Sequence, residues 1–229
     1  MCERLHNHPD NHPPFVAIAI RRTHTDGPPP GLHTGIIYRA ADDAVLLLHL
    51  GFHYQVANEP PSSRYIWAVP DIPDVRLRSV AALCRLVASI YPTEGLPYAL
   101  RYDGTSTFST ENGRWLAGTG GRGFTCSTFV LALFQSCGIS LIDWQTWCPR
   151  SSDLEWQRFI IQALQSQGAD ASHVAGVCSE IGCLRFRPDE VTGACLGTDY
   201  PVPFVTAISA GIVVLEALDQ HYTAIGYCP

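Results

Sequence analysis

Between residues 32 and 56 the chain reads LHTGIIYRAADDAVLLLHLGFHYQV, two apolar runs split by the polar AADD. Runs of this length with a polar break close on themselves as a β-hairpin, with Asp42 and Asp43 serving as turn residues. That hairpin commits the N-terminal half to antiparallel pairing. FVAIAIRR (15–22) and SRYIWAV (63–69) read as further strands, the second closed by Pro70. HTDGPPPG (24–31), with three prolines and two glycines, reads as a stiff loop.

The period then changes. SVAALCRLVASIY (79–91) spaces Val80, Leu83, Leu86 or Val87 and Ile90 as a helix that ends before Pro92. Residues 95–123 read mostly as loop, glycine-rich in the last seven positions. TGGRGFTCS lacks the Lys-Ser/Thr pair of a phosphate-cradling P-loop, so a nucleotide site is not expected. From Thr125 to Cys137 the residues Phe129, Val130, Leu133 and Phe134 form one apolar face, Thr125 can cap and Gly138 terminates. A second helix is predicted over Ser152–Gln165, opened by a Ser152/Glu155 capping box. Residues 170–229 mix short apolar runs with RFRPDE and TDYPVP turns.

An antiparallel sheet packed against the helix at Cys126 makes an α+β domain over 14–229, preceded by a flexible tail over 1–13. Residues 140–229 either complete the other side of the sheet or form a cap. A length of 229 residues suits one domain with a sizeable core.

Charge narrows the partners. With 15 Lys and Arg, a net charge of −6 and no basic run, the chain is not expected to bind nucleic acid or an anionic membrane. Stretches such as AISAGIVVLEAL are broken by Glu or Gly, and no membrane span is expected. The first residues lack the order of a signal peptide, which favours the cytosol or delivery by a signal-independent secretion system. Nine irregularly spaced cysteines read as mostly free thiols rather than a disulfide framework.

Two sets of residues carry chemistry. Cys126 opens a helix, where the macrodipole and free N–H groups favour a thiolate and can stabilise an oxyanion; it also sits where a buried core cysteine would. A cysteine nucleophile needs an imidazole base and a group that orients it. A hairpin turn centred near Ala41 sets His33 opposite His49, and His53 is a substitute for His49.

These stretches resemble a known family. TCSTFVLALF (125–134) resembles the Cys-Ser-x-Phe-Val helix start of NlpC-type papain-like hydrolases, and HTGIIYR (33–39) resembles their His-x-Gly-Ile-Tyr strand. Here the histidines precede the cysteine, as in the circularly permuted branch that includes lecithin–retinol acyltransferase-like and permuted bacterial enzymes. GLPY (95–98) resembles a Gly-x-Pro-Tyr stretch that many permuted members carry. The resemblance implies a permuted papain-like fold with Cys126 as nucleophile, His33 as base and His49 as its orienter. Tyr98 would contact substrate or oxyanion, as would Thr125, which stands where the family often has Asp or Asn.

The implied activity is amide hydrolysis through an acyl-cysteine, with no cofactor, on a protein, peptide or peptidoglycan-like substrate. Acyl transfer or thioester hydrolysis on a lipid would use the same intermediate. A non-catalytic metal-binding or interaction module is the alternative from another class. The tail histidines His6, His8 and His12 suit a weak metal site, whereas Cys178, Cys183 and Cys195 match no common zinc spacing. Trp144, Trp147 and Trp156 are either groove-lining or core and rim aromatics, and His173 and His221 have no evident partner.

Overall fold

The computed structural model describes residues 4–7, 13, 15–23, 31–118 and 122–227. Six strands form one antiparallel sheet: β1 (Leu5–His6), β2 (Val16–Arg22), β3 (Leu32–Arg39), β4 (Val45–Phe52), β5 (Gln55–Glu59) and β6 (Ile66–Ala68), in the order β1-β6-β2-β3-β4-β5. α1 (Asp74–Ala88) and the short α2 (Tyr91–Glu94) follow. A small hairpin, β7 (Thr107–Phe108) and β8 (Trp115–Leu116), interrupts the long connection to α3 (Cys126–Ser136). The C-terminal part is helical: α4 (Leu154–Ser166), α5 (Ala171–Cys178), α6 (Pro188–Ala194) and α7 (Phe204–Ala224). The protein is therefore α+β, and residues 140–229 add helices rather than strands.

Alternation sorts the sheet into two faces. Val16, Ile18, Ile20, Ile36, Tyr38, Leu48 and Leu50 join α1, α3 and the C-terminal helices in the main core. Ala17, Ala19, Ile37, Leu47, Tyr65 and Trp67 form a smaller cluster on the other face. α3 packs across β3 and β4 and is buried almost all round, from Cys126 to Phe134. Thr125 caps it: its hydroxyl accepts from Thr128 N–H at 3.1 Å, and Thr128 returns the bond to Thr125 N–H at 2.7 Å.

The hairpin register differs from the expected one. Ile36 pairs with Leu48 and Arg39 with Val45, which sets Gly35, not His33, across from His49. The turn is centred one residue later than the sequence suggested, because Asp43 adopts a left-handed conformation (φ 66°) and Asp42 accepts from Ala44 N–H. His33 and His49 are consequently diagonal neighbours. At Gly35 a Cβ would lie 2.7 Å from His49 Cβ and 2.9 Å from Leu48 O, so glycine gives the His49 side chain its room. Gly35→Ala is expected to cost about 1–3 kcal/mol by overpacking and to loosen His49, measurable as a lower denaturant midpoint with unchanged slope.

Two further readings are corrected. Residues 4–7 are not tail: Leu5 is buried on β6, His6 stacks on Trp67 with ring centres 4.5 Å apart, and Arg4 donates to Leu196 O (2.8 Å), Cys195 O (3.1 Å) and Gly197 O (3.3 Å). A two-residue strand among Asn, Asp and Pro leaves no periodic signal. The Ser152/Glu155 capping box does not form, because Ser152 accepts from Arg187 while Asp153 draws in Arg150, Arg185 and Arg187. AISAGIVVLEAL lies inside the 21-residue α7, which by length and composition is long and apolar enough to cross a membrane. It buries Ala207, Val214, Ala217 and Leu218 within this fold. Most of the loop at 24–31, and His8 and His12, lie outside the described residues.

Candidate active site

β3 and β4 deliver the histidines. His33 Nε2 and His49 Nδ1 are 2.8 Å apart, both rings are buried, and they meet edge-on. His49 Nε2 lies 3.3 Å from Glu59 Oε1 on β5. A carboxylate only accepts, so His49 carries its proton on Nε2 and accepts at Nδ1. His33 must then donate from Nε2, which leaves the lone pair on His33 Nδ1. One exposed carboxylate thus sets the tautomers of two buried imidazoles.

Both imidazoles are held neutral. Burial lowers His33 well below its ordinary range, helped by the His49 and Arg21 charges. Burial also lowers His49, against the opposing pull of Glu59. Arg21 is the cross-strand partner of His33 on β2, and its Nε donates to the Tyr65 hydroxyl at 2.8 Å. Because folding lowers these values, the unfolded chain takes up the protons first. The stability they contribute is complete above about pH 6.5 and declines as pH falls below that.

Cys126 is buried, and burial raises its thiol above the ordinary value. The expected net lowering by the helix start is therefore overturned: N–H groups of Thr34 and Ser127, the Ser127 hydroxyl and the Arg185 charge favour the thiolate, but desolvation is larger. The Thr34 contact brings the sulfur to the residue after His33. No hydrogen bond joins Cys126 to His33 or His49 among the described residues. Alternation explains the gap, since His33 and His49 belong to the face of Ile37 and Leu47 while α3 covers the opposite one.

Tyr98 is buried as a phenol, its ionisation pushed well up by burial and then by the Cys126 charge. The Cys126 N–H acts on its hydroxyl oxygen in the opposite sense, which sets the phenol beside the helix start. Tyr98 pairs with Phe124, two residues before Cys126: Phe124 N–H donates to Pro97 O at 3.0 Å and Ala99 N–H to Phe124 O at 3.2 Å. Gly123 (φ 155°) permits this approach, since a Cβ there would sit 2.1 Å from Pro97 O. The glycine-rich approach to Cys126 thus serves close backbone contact.

The remaining residues divide plainly. Thr125 directs both its N–H and its hydroxyl to the cap, beside Cys126. His49, not His53, meets His33; His53 accepts the Tyr98 N–H. His173 Nε2 donates to Tyr98 O, and His221 Nε2 to Ser63 O. Trp147 is core, packed on Phe186 and Phe204; Trp144 is exposed; Trp156 lies under Arg185, whose guanidinium is 3.8 Å from its ring centre. Sequence reasoning missed Glu59, Arg21, Tyr65 and Arg185. Arg21 could have been found by extending the strand register to β2.

The seven described cysteines are unpaired thiols. No group of three or more His, Cys, Asp or Glu side chains is placed to hold a metal ion among the described residues. The chain matches no protein-family model, no curated protein and no solved structure at the significance required.

Proposed function

We propose that the protein is a cysteine hydrolase of amide bonds with a permuted papain-like arrangement, acting on a protein, peptide or peptidoglycan-like substrate. The observation that carries this reading is the chain from exposed Glu59 through His49 to His33, which leaves an open Nδ1 lone pair on the histidine whose neighbour, Thr34, contacts the Cys126 thiol. Brought together, a neutral imidazole and a protonated thiol are a general base and its acid. His33 Nδ1 would take the Cys126 proton as the thiolate forms a C–S bond to the carbonyl carbon. The Tyr98 hydroxyl and Cys126 N–H would hold the oxyanion, His33 would return the proton to the leaving amine, and water would hydrolyse the thioester. Arg185 acting on Cys126 and Arg21 acting on His33 suit a polar substrate better than an acyl chain.

Selective alkylation tests the reading. In the wild type, iodoacetamide is expected to label Cys126 ahead of the fully buried Cys84, with a rate that keeps rising past pH 9 because burial raises the thiol. Arg185→Gln should slow that labelling by removing a charge that favours the thiolate. Peptide mass spectrometry gives the site. Cys126 reacting no faster than Cys84 would overturn the proposal.

A further inference from the structure

Two histidines with no role in the proposed proton path meet on the backbone of one residue, each on one of the two peptide groups that flank Tyr98 Cα. His53, in the turn between β4 and β5, accepts the Tyr98 N–H on Nδ1 at 3.1 Å. His173, on α5, donates from Nε2 to the Tyr98 carbonyl at 2.9 Å. The two rings lie against each other, 4.6 Å between centres and 36° apart in plane. Phe52, one residue before His53, packs on the Tyr98 ring at 4.9 Å. The Tyr98 backbone is therefore gripped from both sides by elements that the chain brings together from 45 and 75 residues away.

We infer that His53 and His173 are positioning residues that clamp the Tyr98 peptide and so hold its hydroxyl against the Cys126 N–H, where an oxyanion would form. The inference rests on the cysteine-hydrolase reading above. A phenol can serve an oxyanion only if its backbone is fixed, because a shift of about an ångström forfeits the bond. Tyr98 lies in the connection between α2 and α3, outside any helix or long strand; Phe124 holds Pro97 O and Ala99 N–H on either side of it, and the two histidines take the Tyr98 N–H and carbonyl themselves.

The two halves of the clamp respond differently to protons. His173 donates, so protonation leaves its bond intact. His53 accepts at Nδ1, so protonation there removes the acceptor. The groups facing the pair are Tyr54 in the turn, Tyr98 between them, Asp170 at the start of α5, and Glu180, which binds Leu100 and Arg101 N–H and lies 3.8 Å from Arg122 Nε. Burial, with the His173 charge second, lowers His53 from its ordinary 6.5. The acceptor is consequently intact above that pH and is lost only as pH falls further below it.

Two reactions at the same sulfur separate positioning from reactivity. p-Nitrophenyl acetate acylates Cys126 through an oxyanion, forming a C–S bond as p-nitrophenolate leaves. Iodoacetamide alkylates it with loss of iodide and makes no oxyanion. Both need the thiolate, so the ratio of acylation to alkylation rates cancels its population and reports the oxyanion donors. His53→Ala is expected to lower the ratio about tenfold at pH 7.5, the upper range for one neutral hydrogen bond, and to speed hydrogen exchange at the Tyr98 amide. His53→Asn, whose amide oxygen can replace Nδ1, should restore the ratio and make it independent of pH, whereas the wild-type ratio should fall below pH 6.5. His173→Gln, which keeps a donor, should stay near the wild type. A ratio unchanged in His53→Ala, with Cys126 still selectively alkylated, overturns the clamp and leaves the hydrolase reading standing. Cys126 inert to both reagents overturns the hydrolase reading and the clamp with it.

Discussion

His33→Ala is expected to slow acylation of Cys126 at pH 7 by about 10²–10⁴-fold, the range ascribed to a positioned general base. The thiol cannot compensate by itself, since burial holds it protonated above its ordinary range. His49 cannot substitute either, because its Nε2 proton is directed at Glu59 and its Nδ1 accepts from His33. The p-nitrophenolate burst measures the loss, and far-UV circular dichroism reports whether the sheet survives. Glu59→Gln should cost under about tenfold, because an amide oxygen can still accept from His49 at an exposed, 3.3 Å contact. An undiminished burst in His33→Ala would remove the imidazole from the chemistry.

The second large effect concerns stability. Asp153 is buried, accepts from Arg187 at 2.7 and 3.0 Å and from Arg150 at 2.8 Å, and stands 3.3 Å from Arg185. Arg150 also pairs with Glu190 and donates to Arg185 O at 3.0 Å, so one carboxylate ties the start of α4 to the segment leading into α6. Burial alone would raise Asp153, but the bonds from Arg187 and Arg150 prevail and lower it. That stability is present above the unfolded value near 3.8 and is lost as pH falls through the lower folded value. Asp153→Ala should cost about 3–5 kcal/mol, because three guanidiniums lose their shared counter-charge. For a domain of this size the melting temperature should drop on the order of 10 °C. Asp153→Asn, which keeps the shape and two acceptor lone pairs, should fall between. A melting temperature within about 2 °C of wild type in Asp153→Ala would show the cluster to be dispensable.

Where a signal was periodic, the sequence was legible. β2, the β3–β4 hairpin, α1, α3 and α4 all follow from apolar spacing and turn residues. So did the meeting of His33 and His49, though not their register: a shift of one residue in the turn moved the cross-strand partner from His33 to Gly35. What stayed hidden was non-local or short. Glu59 closes QVANE, a strand with little apolar character; Asp153 lay beside a serine that read as the cap; Arg185 and His173 reach the site only through tertiary packing. Cys126 shows how two local effects compete: the helix start was plain from TCSTF, but the depth of burial that outweighs it depends on the whole fold.

The strand at Leu5–His6 has a consequence for the order of events at the ribosome. Its pairing partners on β6 are some sixty residues downstream, and the carbonyls that receive Arg4 belong to residues 195–197. At roughly 5–20 residues per second, about 10–40 s separate the emergence of Arg4 from that of its acceptors. The strand at Leu5–His6 is thus made well before the carbonyls that fix Arg4, and a nascent chain must keep it unentangled until residues 195–197 have emerged.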